Sequence, residues 1–160
     1  MVILTPDTKT CMSALLLTDS FDPYSFIEGE ITTFAVFKVD GYLKKEFFEE
    51  APSRAYSLWQ DVRSYFFSII KGKRTPLNFC LIFALSAGET EAFLREEHLD
   101  FSPEEVQGLF LNFRFDGDRL TCTTGVSTSR FTLDKSLEHA WDKRAQALFD
   151  HLHIPFEIQM

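Results

Sequence analysis

The sequence predicts an α+β fold, a single antiparallel sheet with helices mainly on one face. Three observations carry this expectation. Runs with apolar residues at every second position lead into Asp-Gly, the mark of antiparallel hairpins. Segments with apolar residues three and four apart open at Ser, Thr or Asp and close at Gly or Pro, the mark of short amphipathic helices. The two kinds alternate as strand, helix, hairpin, helix, and then do so again.

Val2 to Leu4 is a short apolar strand. Thr5-Pro6 suits an N-cap and first helical position, and Met12, Leu15 and Leu16 line one face of a helix ending near Thr18. From Phe26 to Val39 the odd positions Ile27, Ile31, Ala35, Phe37 and Val39 are apolar and most even ones polar, which reads as one half-buried strand. Asp40-Gly41 then makes a tight turn into a strand from Tyr42 to Phe48. A helix follows from Ser57 to Lys71, burying Leu58, Val62, Phe66 and Ile69, with Gly72 and Pro76 closing it. Leu77 to Leu85 is apolar on both faces, which places it centrally in the sheet. Ser86 and Glu89 have capping-box spacing before a helix carrying Phe93 and Leu94, and Ser102 to Glu105 opens a short helical turn stopped by Gly108. Leu109 to Phe115 alternates inward, turns at Asp116-Gly117 and returns through Leu120, Cys122 and Thr124. A short strand at Arg130 to Leu133 leads to Asp134, the N-cap of a last helix with a stripe of Leu137, Trp141, Ala145, Leu148 and Leu152. Pro155 ends it, and Phe156 and Ile158 make a terminal edge strand.

The octapeptide FAVFKVDG, residues 34–41, returns as FLNFRFDG, residues 110–117, and Trp59 and Trp141 stand near the starts of the two closing helices. Residues 1–160 therefore read as one domain, either holding an internal repeat of 1–76 and 77–160 or reusing one hairpin and helix grammar. In the duplicated reading two pseudo-twofold-related units share one sheet, a layout that resembles the TATA-box-binding protein and, more loosely, sliding clamps. That likeness is one of fold and carries no activity.

The chain of 160 residues with 45% hydrophobic content and 18 phenylalanines has ample material for a core. Its net charge is -8, with nine Lys/Arg against ten Asp/Glu in residues 1–76 and seven against fourteen in 77–160. An acidic chain lacks the positive field that drives nonspecific nucleic-acid binding, so a nucleic-acid partner is disfavoured. Cys11, Cys80 and Cys122 lie far apart without metal-ligand spacing, which points to reduced thiols in the cytoplasm. No signal peptide and no apolar run of membrane length is visible, and no motif calls for a cofactor or metal.

Hairpin geometry explains Phe37, Phe113 and the Asp-Gly turns. It does not require the other face, where Phe34 with Lys38 and Phe110 with Asn112 and Arg114 present an aromatic and a cation twice. Such a face suits a binding or adaptor role toward a protein partner, a homodimer contact or a covered second layer. Lys71, Lys73 and Arg74 form the one basic cluster; they read as a solvated helix C-terminus or an anion patch. The hydroxyl-rich stretch Thr123 to Ser129 lacks the spacing of a phosphate loop, and His151 and His153 stand too close in register to form a helical metal pair. Nothing here amounts to an enzyme signature. The expected functions are a non-enzymatic binding module, a nucleic-acid-binding protein, or a small-molecule-binding protein or enzyme with a pocket between the halves.

The segments EITTFAVFKVDGYLKKEFF, YSLWQDVRSYFFSIIKGKRTPLNF, EEVQGLFLNFRFDGDRLTCTTG and FTLDKSLEHAW, spanning most of the chain, resemble an uncharacterised family of short clostridial proteins grouped as a domain of unknown function. The resemblance implies a bacterial cytoplasmic protein and brings no activity with it.

Overall fold

The computed structural model describes residues 1–159. In chain order the elements are β1 (Ile3–Pro6), α1 (Thr8–Leu17), β2 (Ser25–Thr32), β3 (Val36–Asp40), β4 (Ser57–Leu58), α2 (Trp59–Ile70), β5 (Asn78–Ala84), α3 (Ala87–Glu96), β6 (Val106–Phe115), β7 (Leu120–Thr128), α4 (Ser136–His151) and β8 (Phe156–Gln159). Single 3-10 turns stand at Lys45–Phe47 and Pro103–Glu105. The strands form one eight-stranded sheet in the order β3-β2-β5-β6-β7-β1-β8, with β4 extending the β2 edge, and the pairings are antiparallel.

The four helices cover one face. Phe79, Leu81 and Phe83 of β5 and Leu109, Leu111 and Phe113 of β6 point toward them and are almost wholly buried. Phe66 of α2 lies against Phe26, ring centroids 5.3 Å apart, and Phe149 of α4 stacks on Phe113 at 6.3 Å. Both tryptophans are buried with their indole N–H satisfied: Trp59 donates to the Leu15 carbonyl at 2.8 Å and Trp141 to the Phe110 carbonyl at 2.9 Å. An indole N–H without an acceptor in such a core is costly, so these bonds fix how α2 sits on α1 and α4 on β6.

Several expectations are corrected. Helix α1 starts after Asp7, whose carboxylate accepts from the Thr10 N–H at 3.0 Å, because Pro6 still belongs to β1 opposite Phe156. The stretch from Phe26 to Val39 is a hairpin of two strands: the chain reverses at residues 33–35, and Thr32 pairs with Val36. Asp40-Gly41 is therefore not the hairpin turn. Gly41 does not have a positive φ; an added Cβ there would meet the Phe26 carbonyl oxygen at 1.9 Å, so the position demands closeness of approach. Gly117 has φ 101° and does serve the turn between β6 and β7. No strand runs from Tyr42 to Phe48; Tyr42 makes a single bridge to Tyr56, and the Lys45 ammonium donates to the Pro52 and Arg54 carbonyls, folding this loop on itself. Residues 130–133 are not a strand either, and Phe131 and Leu133 face solvent. In α4 the buried stripe is Leu137, Trp141, Ala145 and Phe149, with Leu148 and Leu152 half-buried.

The twofold duplication is not confirmed. β5 separates the two hairpins and pairs antiparallel with both β2 and β6, so β2 and β6 run the same way, whereas a twofold axis normal to the sheet reverses direction. The octapeptides also occupy unlike places, the first after its hairpin turn in β3 and the second before its turn in β6.

Candidate functional site: the outer face of the sheet

Among the described residues no helix or strand lies over the centre of the sheet's other face, where Lys38 and Arg114 are exposed. Its side chains come from alternate positions, and the pairing register sets them in rows. Lys38 of β3 stands opposite Glu30 of β2, which stands opposite Cys80 of β5, then Arg114 of β6 and Thr121 of β7. The neighbouring row runs Asp40, Glu28, Ile82, Asn112 and Thr123. Strands are spaced by about 4.8 Å, so Lys38 and Arg114 lie about 14 Å apart across the two intervening strands. Both are exposed, and neither has a carboxylate within ion-pair distance among the described residues.

Cys80 is half-buried in this row, and its thiol donates to Asn112 Oδ1 at 3.4 Å. Partial burial raises its pKa and the charges of Glu28 and Glu30 push the same way, while Arg114 opposes them. Glu28, Glu30, Lys38 and Cys80 line a shallow hollow of about 340 Å³. Among the described residues no three His, Cys, Asp or Glu side chains gather as a metal-binding group.

Toward one end the face becomes apolar. β2 bulges between Phe26 and Glu28 and β6 bulges between Val106 and Gly108, both beside the C-terminal end of β5. A bulge bends its strand and turns one extra side chain. Here the two bends, with the 54–56 loop on one side and Pro103 and the start of α3 at Ala87 and Thr90 on the other, shape a trough of about 400 Å³ with Ile27, Ala84 and Phe110 in it. The Phe110 ring lies over Gly108, where an added Cβ would fall 2.2 Å from it. Glycine at 108 thus seats the aromatic.

The predicted site residues divide among three places. Lys38, Phe110, Asn112 and Arg114 share the outer face. Phe34 does not: it sits at the β2–β3 reversal, 93% exposed, with its ring edge-on to Phe37. Lys71, Lys73 and Arg74 follow α2 on the helical side of the sheet. Lys71 lies over the Phe67 ring, and Lys73 and Arg74 border a hollow of about 240 Å³ floored by Phe79 and Phe115. Sequence reasoning missed Ile27 and the 54–56 wall. The one available signal was Phe26 beside Ile27, two adjacent large apolar residues in an otherwise alternating run.

Fold and site together define an α+β protein with a helix-backed antiparallel sheet whose other face is open and graded from apolar to charged. The chain belongs to the Family of unknown function (DUF5721), whose model matches residues 14–157. No curated protein and no solved structure matches it. Among the described residues no helix is long and apolar enough to cross a membrane.

Proposed function

We propose that the protein is a non-enzymatic binding module that receives a segment of a protein partner on the outer face of its sheet. The observation that carries this reading is the juxtaposition of an apolar trough at Ile27, Ala84 and Phe110 with a row of alternating charge at Lys38, Glu30 and Arg114. An apolar anchor seated beside charges of both signs is the pattern of a protein interface, where the anchor supplies affinity and the charges set orientation. The same alternation weighs against nucleic acid, because Glu28, Glu30 and Asp40 stand among the cations where a phosphate backbone would pass. The reading includes a bacterial, clostridial cytoplasmic setting, supported by the family resemblance and by three unpaired thiols.

The test is affinity capture with the wild-type chain, the K38E/R114E double variant and F110A, each first checked for a native circular dichroism spectrum. A specific partner is expected with wild type and is lost with both variants. An unchanged set of captured proteins for K38E/R114E overturns the proposal.

A further inference from the structure

Beyond Leu85, which also borders the trough, Tyr24, Glu89 of α3 and one side of α4 enclose a cleft of about 490 Å³, within the size range of small-molecule sites. Helix α4 meets it with Arg144, Leu148 and His151, which continue at helical spacing from Trp141 of the core stripe, and this explains why Leu148 is only half-buried. Leu85 and Tyr24 complete an apolar wall.

Its polar groups keep bonding capacity that the protein does not use. Arg144 lies over the Phe93 ring at 4.7 Å and is tethered through one terminal nitrogen to Glu96 at 3.0 Å and Glu97 at 3.3 Å. Its other guanidinium N–H groups have no acceptor among the described residues, so the cation is pinned with donors to spare. Glu89 is exposed at the rim, and among the described residues neither its carboxylate nor the Tyr24 hydroxyl has a side-chain hydrogen-bond or ion-pair partner. Burial raises the Tyr24 pKa to about 12, with Arg144 and Glu89 both near enough for their charges to act on that hydroxyl. One cation and one anion therefore flank a phenol at an apolar cleft.

We propose that this cleft binds a free α-amino acid with a large apolar side chain, its carboxylate toward Arg144, its ammonium toward Glu89 and its side chain against Leu85, Trp141 and Leu148. A zwitterion presents one group to the spare donors of Arg144 and another to Glu89, whereas an amine leaves those donors unused and a carboxylate alone meets Glu89 with Glu96 and Glu97 close by. Tyr24 supplies a hydroxyl to either pole. This site shares Leu85 with the trough and none of its other lining residues, and it stands independently of the function proposed for the outer face.

The experiment is isothermal titration calorimetry on the full chain with L-tryptophan, L-phenylalanine and L-leucine. Phenethylamine and 3-phenylpropionate serve as probes that each lack one charge. At least one amino acid is expected to bind, with each single-charge probe at least about tenfold weaker than phenylalanine, the loss for one hydrogen bond to a charged group. E89Q is expected to weaken amino-acid binding by about tenfold on the same ground. A147W, which fills the cleft from an exposed position, is expected to abolish binding while K38E/R114E leaves it intact. No heat from any of the three amino acids in millimolar excess overturns the proposal, as does equal binding of the single-charge probes or undiminished binding to a folded A147W protein.

Discussion

Gly41 and Gly117 each follow an aspartate in the repeated octapeptide, yet they are glycine for different reasons, and substitution separates the two. In Gly41→Ala the new Cβ falls 1.9 Å from the Phe26 carbonyl oxygen and 2.9 Å from its ring Cδ2. Neither neighbour can yield freely. Phe26 is buried against Phe66 and Trp59, while Gly41 donates to the Ile27 carbonyl at 2.8 Å and accepts from the Ser57 N–H at 2.7 Å. Overpacking of this kind costs about 1–3 kcal/mol, and each hydrogen bond weakened by the shift adds about 1 kcal/mol, so a loss of about 3 kcal/mol is expected. For a chain of this size that corresponds to a drop in Tm of about 6–12 °C. Gly117→Ala meets a different penalty, a φ of 101° and a Cβ 2.9 Å from the Leu77 carbonyl oxygen at an exposed turn that can shift. About 1–2 kcal/mol is expected there. Urea unfolding followed by circular dichroism measures both. A Gly41→Ala cost below about 1 kcal/mol, or a reversed ranking, refutes the assignment of Gly41 to close approach.

Three further outcomes follow from local chemistry. His98 and His153 end α3 and α4 in the left-handed conformation, φ 54° and 57°, with the bonds Leu99 N–H to Leu94 and Ile154 N–H to Phe149 of a Schellman motif. Replacing either with glycine is expected to raise stability by up to about 1 kcal/mol in the same unfolding assay. Cys80 is half-buried while Cys11 and Cys122 are buried, so brief treatment of the native protein with a maleimide is expected to label Cys80 alone, as read by peptide mass spectrometry. Burial holds Cys11 and Tyr24 protonated to about pH 12 in the fold, against 9.0 and 10.0 for the unconstrained groups, so the unfolded chain releases these protons first. The resulting stability is complete below pH 9 and is lost between pH 9 and 12, by about 1.4 kcal/mol per pH unit for each group titrating only in the unfolded state; Cys11→Ala is expected to flatten that limb.

The elements that the sequence made legible are those whose pattern is set locally. β5 sets Phe79, Leu81 and Phe83 under the helices and Ile82 and Ala84 on the other face, and it lies between β2 and β6, as a strand apolar on both faces is expected to. The capping of α3 by Ser86 is a contact three residues long, with Ser86 Oγ accepting from the Glu89 N–H. Other elements were hidden because distant partners decide them. Residues 33–35 contain no glycine, proline, asparagine or aspartate, and the reversal is held in part by Leu77, whose N–H donates to the Thr32 carbonyl. Phe131 and Leu133 alternate as in a strand, but the structure gives residues 130–133 no strand partner, and both side chains remain in solvent.

Parity explains why the outer face was nonetheless partly readable. In the β2–β3 hairpin Glu30 pairs with Lys38 and Thr32 with Val36, so even residues oppose even residues and the alternation passes through the turn unbroken. One long strand and two short ones then have the same period-two pattern, and Lys38 falls on the outer face in either reading. In the β6–β7 hairpin Phe113 pairs with Cys122, odd with even, so the phase breaks and exposes the turn. Parity assigns a face and is silent on neighbours. Only the insertion of β5 between the hairpins sets Glu30 and Cys80 between Lys38 and Arg114, and only the bulge at Ile27 turns that side chain into the trough beside Phe110. The repeated aromatic and cation are therefore not two equivalent pairs: Phe110 with Arg114 belongs to the outer face as a unit, Lys38 joins it through the sheet, and Phe34 stands apart at the tip of the β2–β3 hairpin.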